Sequence, residues 1–436
     1  MAALYYVSVP HTKAVLVAPR SGYIYNHDIF EMHGILEHTL SPPGPASSTG
    51  GQMLRRRRVR LRIRIRLWPA MGQISMALLP TVVLIALLIF GGYSAFSQGS
   101  TGTVVQAPLF TAIDLHPRGF LRSWASSVSG GQQVGYGWGP TTKDQPALLW
   151  HGSAASVLDL TGGFSSAQAI ATSGEEQVGW GSGPSTVGEN HALLWRGSAT
   201  SVVDLNPSGS VQSSAFGVSE GQQVGSGDIL LANGGRGVHA LLWHGTAASV
   251  VDLHPRGFLT SVAKGISGGL QVGWGLVPPT NHSHALLWRG SAASVVDLNP
   301  RGFGESWAYG VSDGQEVGSG WRNTGPGRNC AHALLWRGSA ASGVDLNPQS
   351  GFECSVAVAT SGEWQVGSGS GPGRVDHALL WHGSAASVVD LHAFLPPDLY
   401  KYESHAFGID SNGDIVGEAW PIGSDGPHAI LWVRAK

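Results

Sequence analysis

The stretch HALLWRGSAASVVDLNP, His284–Pro300, decides the fold because near-copies of it flank it on both sides. The Trp that ends each ALLW or ILW core recurs at Trp150, Trp195, Trp243, Trp288, Trp336, Trp381 and Trp432. The Asp of each DL pair recurs at Asp114, Asp159, Asp204, Asp252, Asp297, Asp345 and Asp390, and the Val of each VG pair at Val134, Val178, Val224, Val272, Val317, Val366 and Val416. Three independent markers therefore each count seven. From Asp114 to Asp390 the mean period is 46 residues, in the range of a four-stranded propeller blade.

Within one period four short runs read as strands: SWAYGVS, QEVGSG, HALLW and ASVVDL, each bounded by Gly, Asn, Asp, Pro or Ser turns. No helical stripe occurs after residue 100. The repeats begin with a lone FTAIDL, Phe110–Leu115, and end with AILW, Ala429–Trp432, so the chain opens on the strand type that should follow its last one. The expected architecture is all-β: a seven-bladed β-propeller of four-stranded blades over residues 110–436, closed by the N-terminal strand pairing with the last blade. From the axis outward a blade reads SxAxGVS, QxVG, HALLW, VVDL, with small residues where the channel is most crowded. A Trp, two Leu and two Val per copy are expected to fill the layers between blades.

Glycine at 63 of 436 residues and charged residues at only 12% suit many short strands with tight turns rather than a helical bundle. The net charge of −2 hides an asymmetry: residues 1–97 hold ten of the 26 Lys and Arg against Asp28, Glu31 and Glu37, which leaves the repeats with a balance of −9. A mildly acidic folded domain argues against nucleic acid as a partner.

Upstream, Arg55–Arg58, Arg60, Arg62, Arg64 and Arg66 precede an uncharged apolar run, MALLPTVVLIALLIFGGYSAF, Met76–Phe96. As a helix it would rise about 31 Å, enough to cross a hydrocarbon core, with the arginines held inside. Ala95-Phe96-Ser97 offers small residues for a signal peptidase, so residues 76–97 read either as a signal sequence or as a retained membrane anchor. Both place the repeats outside the cytoplasm, whether secreted, periplasmic or at the cell surface. Residues 53–75 are then a basic juxtamembrane segment and 98–109 a linker. Residues 1–52 read as unstructured, or as translated sequence upstream of a true start at Met53. VRLRIRIRL alternates like a strand, but its place before the apolar run points to topology as its cause.

SDGQEVGSG and HALLWRGSAASVVDL resemble the HAF family of probable extracellular repeats, whose units carry a small-Ala strand, a GQVVG strand and an AFLW strand followed by DL. Leu stands here where the family name has Phe, and the resemblance covers Phe110–Lys436. It implies a propeller-like secreted module without a settled activity.

Chemistry-bearing motifs have plainer readings. GVSEG (Gly217–Gly221), GISGG (Gly265–Gly269) and GVSDG (Gly310–Gly314) match a nucleophile elbow, but another strand follows where the elbow needs a helix, so a hairpin turn is expected. DSNGDIVGE, Asp410–Glu418, spaces carboxylates somewhat like a calcium loop yet aligns with the same turn in other copies. His191, His239, His284, His332, His377 and His428 each precede the ALLW or AIL core; one per blade, they are dispersed around a ring and suit a hydrogen bond to the repeat Asp better than a metal. Asn281–Ser283 is a sequon only in a glycosylating host. Cys330 and Cys354 fall on loops of adjoining blades on one ring face, which makes a disulfide the working hypothesis. No catalytic constellation, metal set or cofactor fingerprint emerges.

Each Trp lies nine residues before the next Asp in all six measurable copies, whereas Asp to Val varies from 19 to 26 and Val to Trp from 15 to 19. All length variation thus falls in two loop classes, which an antiparallel meander places on one face. That face carries Gly227–Val238, Gly320–Cys330 and Ala393–Ser404, with scattered Arg236, Arg322, Arg328, Asp376, Asp398 and Tyr402. Trp138, Trp180, Trp274, Trp321 and Trp420 follow VG at even offsets and so share one side of their strands, where their rings could stack sugars or pack between blades. The expectation is a monomeric binding or interaction module whose unknown ligand is a glycan or a surface protein, contacted chiefly by these five Trp with Arg236, Arg322 and Arg328. An enzyme acting on polysaccharide, hydrolase or lyase, and a purely structural surface protein are the alternatives.

Overall fold

The computed structural model describes residues 110–140, 145–231, 234–322, 330–371, 373 and 375–435, together with four strands nearer the start of the chain. Those four, Leu4–Val9, Thr12–Val17, Ile29–His38 and Arg58–Arg66, pair in sequence order as one antiparallel sheet within a compact unit of its own, Met1–Val104. Where the sequence suggested no regular structure over residues 1–52, three of these strands form. Arg58–Arg66 pairs with Ile29–His38, so the alternation noted in VRLRIRIRL is strand alternation. The expected apolar segment Met76–Phe96 lies outside the described residues; among the described ones no helix is long and apolar enough to cross a membrane.

The second unit is a seven-bladed β-propeller. Blade 1 comprises Arg122–Ser129, Gln132–Trp138, Ala147–Trp150 and Leu158–Asp159, and blades 2 to 6 repeat that order, beginning at Ser166, Ser213, Ser261, Phe303 and Cys354. Blade 7 takes Tyr400–Ile409, Ile415–Pro421 and His428–Arg434 from the end of the chain and its outer strand, Phe110–Asp114, from before blade 1. Ile113 sits opposite Leu431 and Ala112 opposite Trp432, so the ring is closed by strand pairing.

The third strand of each blade is an unbroken apolar run because both of its faces are covered. In blade 2, Leu193 and Trp195 join Val134, Leu149 and Leu160 of blade 1, while Ala192 and Leu194 join Ala215, Leu241 and Trp243 of blade 3. All seven repeat Trp are fully buried. The Leu of each DL pair is buried as well, whereas Val203, Val251 and Val296 of the VVDL segments are only partly buried and cap the cluster.

The glycine of each VG pair answers a steric demand. A bulge in the innermost strand turns a carbonyl onto it: a Cβ on Gly273 would lie 1.9 Å from the Val262 carbonyl oxygen, and one on Gly135 1.8 Å from that of Trp124. Nearer the axis the blades approach backbone to backbone, and a Cβ on Gly265 would lie 2.8 Å from the Tyr309 carbonyl oxygen of the next blade. The small residues of SxAxGVS stand where crowding requires them.

Candidate functional site

A polar circuit seals each junction but one and shows what the repeat His and Asp do. Between blades 2 and 3, His191 Nδ1 lies 2.7 Å from Asp204 Oδ2, and Asp204 Oδ1 accepts the Asn206 backbone N–H. Asn206 Oδ1 accepts the Ser213 hydroxyl, whose oxygen accepts the Ala192 N–H. The same His–Asp pair forms at His239–Asp252, His284–Asp297, His332–Asp345, His377–Asp390 and His428–Asp114, at 2.7 to 2.9 Å. In three junctions a second histidine replaces the Asn and stacks on the first: His116 on His428, His254 on His239 and His392 on His377, with ring centroids 3.7, 4.0 and 4.3 Å apart. Burial, and then the neighbouring imidazole, hold His116, His254 and His392 below the ordinary histidine value. Blade 1 departs from the pattern: Pro146 replaces its His, and the Thr161 hydroxyl takes the Ala147 N–H.

The three GxSxG matches are hairpin tips between the first and second strands, with Ser219, Ser267 and Ser312 opposite Gln222, Leu270 and Gln315. In Asp410–Glu418 the carboxylate of Asp410 accepts the backbone N–H groups of Asn412 and Asp414 and closes the corresponding turn. Cys330 and Cys354 form a disulfide with Cα atoms 5.3 Å apart, tying the varied loop of blade 5 to the first strand of blade 6.

The candidate contact residues separate into distinct roles. Arg236 ion-pairs with Asp228 at 3.0 Å and donates to the Gly209 carbonyl, while Asp228 accepts the N–H groups of Val211 and Gln212. The insertion Gly227–Val238 is thus a long hairpin clamped to its neighbouring loop, and Arg236 is its clamp. Arg322 lies 3.6 Å from Asp345 and over the Phe303 ring. Arg328 lies outside the described residues. The Ala393–Ser404 insertion begins with a short 3-10 turn, and its Tyr400 hydroxyl donates to Asp114 of the closing strand.

The five tryptophans are spread over blades 1, 2, 4, 5 and 7 rather than gathered together. Trp180 and Trp274, two residues after Val, are partly buried; Trp138 and Trp321, four after it, are 38% and 42% exposed; Trp420, also four after, is partly buried. Arg122 lies over Trp138, and Trp307 meets Trp321 edge-on.

One polar cluster breaks the sevenfold pattern, at the junctions of blades 6, 7 and 1. His405, in the variable position of SxAxG, has Nδ1 3.1 Å from Glu418 Oε1 and Nε2 3.4 Å from Asp376 Oδ2. Asp376 also accepts the Ser370 hydroxyl. Burial works against a charged His405, but the hydrogen bonds and charges of Glu418 and Asp376 prevail and raise its pKa. In blade 1 the equivalent pair is aromatic: Trp124 stacks on Tyr136 at 4.8 Å. Of these residues Asp376 was singled out on the varied face and Glu418 only as the end of the calcium-loop-like stretch Asp410–Glu418; the available signal was that both variable positions of one blade, the x of SxAxG and the second residue after Val, carry ionisable groups.

No family model matches the chain, and no curated protein matches it. Among solved structures it is similar to the oligogalacturonate lyase from Vibrio parahaemolyticus, at 8% identity and a TM-score of 0.45 over 74% of this chain and 91% of that one. It is similar also to the β-propeller domain of the Trilobed protease from Pyrococcus furiosus, at 8% identity and TM-score 0.42, covering 72% and 93%. TolB from Acinetobacter baumannii aligns at 10% identity and TM-score 0.38, covering 67% and 76%.

Proposed function

We propose that this protein is an exported or surface-anchored propeller that binds glycans on the face formed by its variable loops. The observation that carries the reading is the exposure of Trp138 and Trp321 at strand exits on that face, where the exposed part of a flat ring can cover a sugar face. The stacked Trp124–Tyr136 pair continues the aromatic surface inward along blade 1. Export is supported by the Cys330–Cys354 disulfide, which suits an oxidising compartment, and by the arginine-flanked apolar run Met76–Phe96. The resemblance to HAF repeats belongs to the same proposal.

The test is a glycan array probed with the full-length protein, followed by titration of any hit against Trp138→Ala and Trp321→Ala. Binding weakened about tenfold or more in either variant, with unchanged unfolding midpoints, supports the reading; a silent array overturns it in favour of a structural surface protein. A second reading, an enzyme acting on polysaccharide, is favoured by His405, an imidazole held between two carboxylates and able to keep or release a proton. New reducing ends released from a bound glycan, and lost in His405→Gln, would support it.

A further inference from the structure

Arg122 opens the innermost strand of blade 1 on the varied face, where the strand register sets it opposite Trp138. The equivalent residues of blades 2 to 7 are Ser166, Gln212, Thr260, Glu305, Cys354 and Glu403, so blade 1 alone puts a cation there. Arg236 and Arg322 of the same face are engaged by Asp228 and Asp345. Arg122 enters no ion pair among the described residues; its contacts are a backbone carbonyl, a glycine and a ring.

Two of those contacts hold the side chain in place. Its Nε donates to the Asp425 backbone carbonyl at 3.1 Å, and its stem lies across Gly426 in the same loop of blade 7. A Cβ on Gly426 would come within 2.3 Å of the Arg122 Cγ and 2.6 Å of its Cδ, so the stem needs a glycine beneath it. The guanidinium carbon then stands 5.8 Å from the centroid of the Trp138 ring, with its two terminal nitrogens free of hydrogen bonds to described residues. Both side chains reach solvent, Trp138 with 38% of its surface. Trp124, stacked on Tyr136, forms the next cross-strand pair inward on the same side of the sheet.

An arginine fixed before its ligand arrives loses little side-chain freedom on binding. With Nε engaged, the two terminal nitrogens can still donate parallel hydrogen bonds to the two oxygens of a carboxylate. The indole beside them offers an apolar face to a sugar ring. A cation and an aromatic face this close together call for a sugar whose single negative charge is bonded directly to its ring. We propose that the Arg122–Trp138 corner of blade 1 binds the carboxylate of a uronic acid, so that the glycan recognised by this protein is acidic. The inference rests on the glycan reading. The acidic balance of the repeats repels such a ligand at long range, but salt screens that force beyond about 8 Å, and the Arg122 contact is shorter.

The test is calorimetric titration of the full-length protein, at physiological salt, with a mannuronate hexamer and separately with its methyl-esterified counterpart, which keeps the sugar and lacks the charge. The expected result is at least tenfold tighter binding of the acid form, a preference abolished by Arg122→Gln. Arg122 is exposed, so that substitution empties no core. Gly426→Ala, which keeps the charge and displaces the stem, should reduce the preference severalfold, whereas Trp138→Ala should weaken both forms alike. Equal affinity for both hexamers, or a preference left intact by Arg122→Gln or by Gly426→Ala, overturns the acidic site and leaves the glycan reading standing. Binding of neither hexamer also overturns it, while the array independently decides the glycan reading.

Discussion

Gly273 and Gly290 occupy the same repeat for different reasons. A Cβ at Gly273 would collide with the Val262 carbonyl, whereas Gly290 has open space around it and is constrained only by its φ of +74°. Gly290→Ala should cost roughly 1–2 kcal/mol, the price of a left-handed backbone with a side chain. Gly273→Ala should cost clearly more, because the bulge must rearrange; denaturant unfolding of both variants checks the order. Trp288→Ala should lose roughly 3–5 kcal/mol as a core cavity opens. Trp288→Phe should lose much less, since the Trp288 Nε1 has no hydrogen-bond partner to forfeit. The histidines give a pH dependence of definite sign. His116, His254 and His392 titrate below the ordinary value in the folded protein, so the unfolded chain binds more protons as pH falls through about 6.5, and stability falls with it. His405 acts oppositely: its contribution is present at low pH and lost as pH rises through its elevated folded value. Below about pH 6.5 the His405 contribution is already complete, so further acidification there should lower the unfolding midpoint. His254→Asn, which copies the residue at Asn206, Asn299 and Asn347, should lessen that drop; a midpoint that rises on acidification in that range would contradict the account.

At the scale of elements, the disulfide and the long hairpin are local reinforcements of the varied face. Cys330 and Cys354 enclose 24 residues of sequence separation, so replacing both with Ser should cost roughly 3 kcal/mol by chain entropy. Reduction followed by thermal unfolding measures this, and an unchanged midpoint would count against it. Disulfide, hairpin turns and His–Asp pairs were all legible in the sequence, because each repeats or sits at a fixed offset from the Trp, Asp and Val markers. The clamp made by Arg236 was not legible, because its partner Asp228 lies on the adjacent strand of the same insertion, a pairing that spacing from the markers does not show. The pairing of His405 with Glu418 was missed for a related reason: they occupy positions that vary from blade to blade, and only the strand register sets them side by side. The five tryptophans shared a side of their strands as the even offsets required, but offsets of two and four differ in depth, and only Trp138 and Trp321 are substantially exposed.

For the whole molecule, every assignment of inside, outside and face depends on one closure, in which Phe110–Asp114 lies beside His428–Arg434. That pairing also delivers Asp114 to His428 and to the Tyr400 hydroxyl, so the closing strand completes both the polar circuit and the anchoring of the last insertion. Burial raises the Asp114 carboxyl less than His428, the His116 N–H and Tyr400 lower it, and that share of closure should persist until strongly acid pH. The most direct measurement is oxidative cross-linking of Thr111→Cys with Val433→Cys, two residues that face each other across the closing pair. Rapid, intramolecular and nearly complete cross-linking of the folded protein is the result expected of a closed ring; two thiols that stay free under oxidation, or link only between molecules, would show the blades to form an open stack.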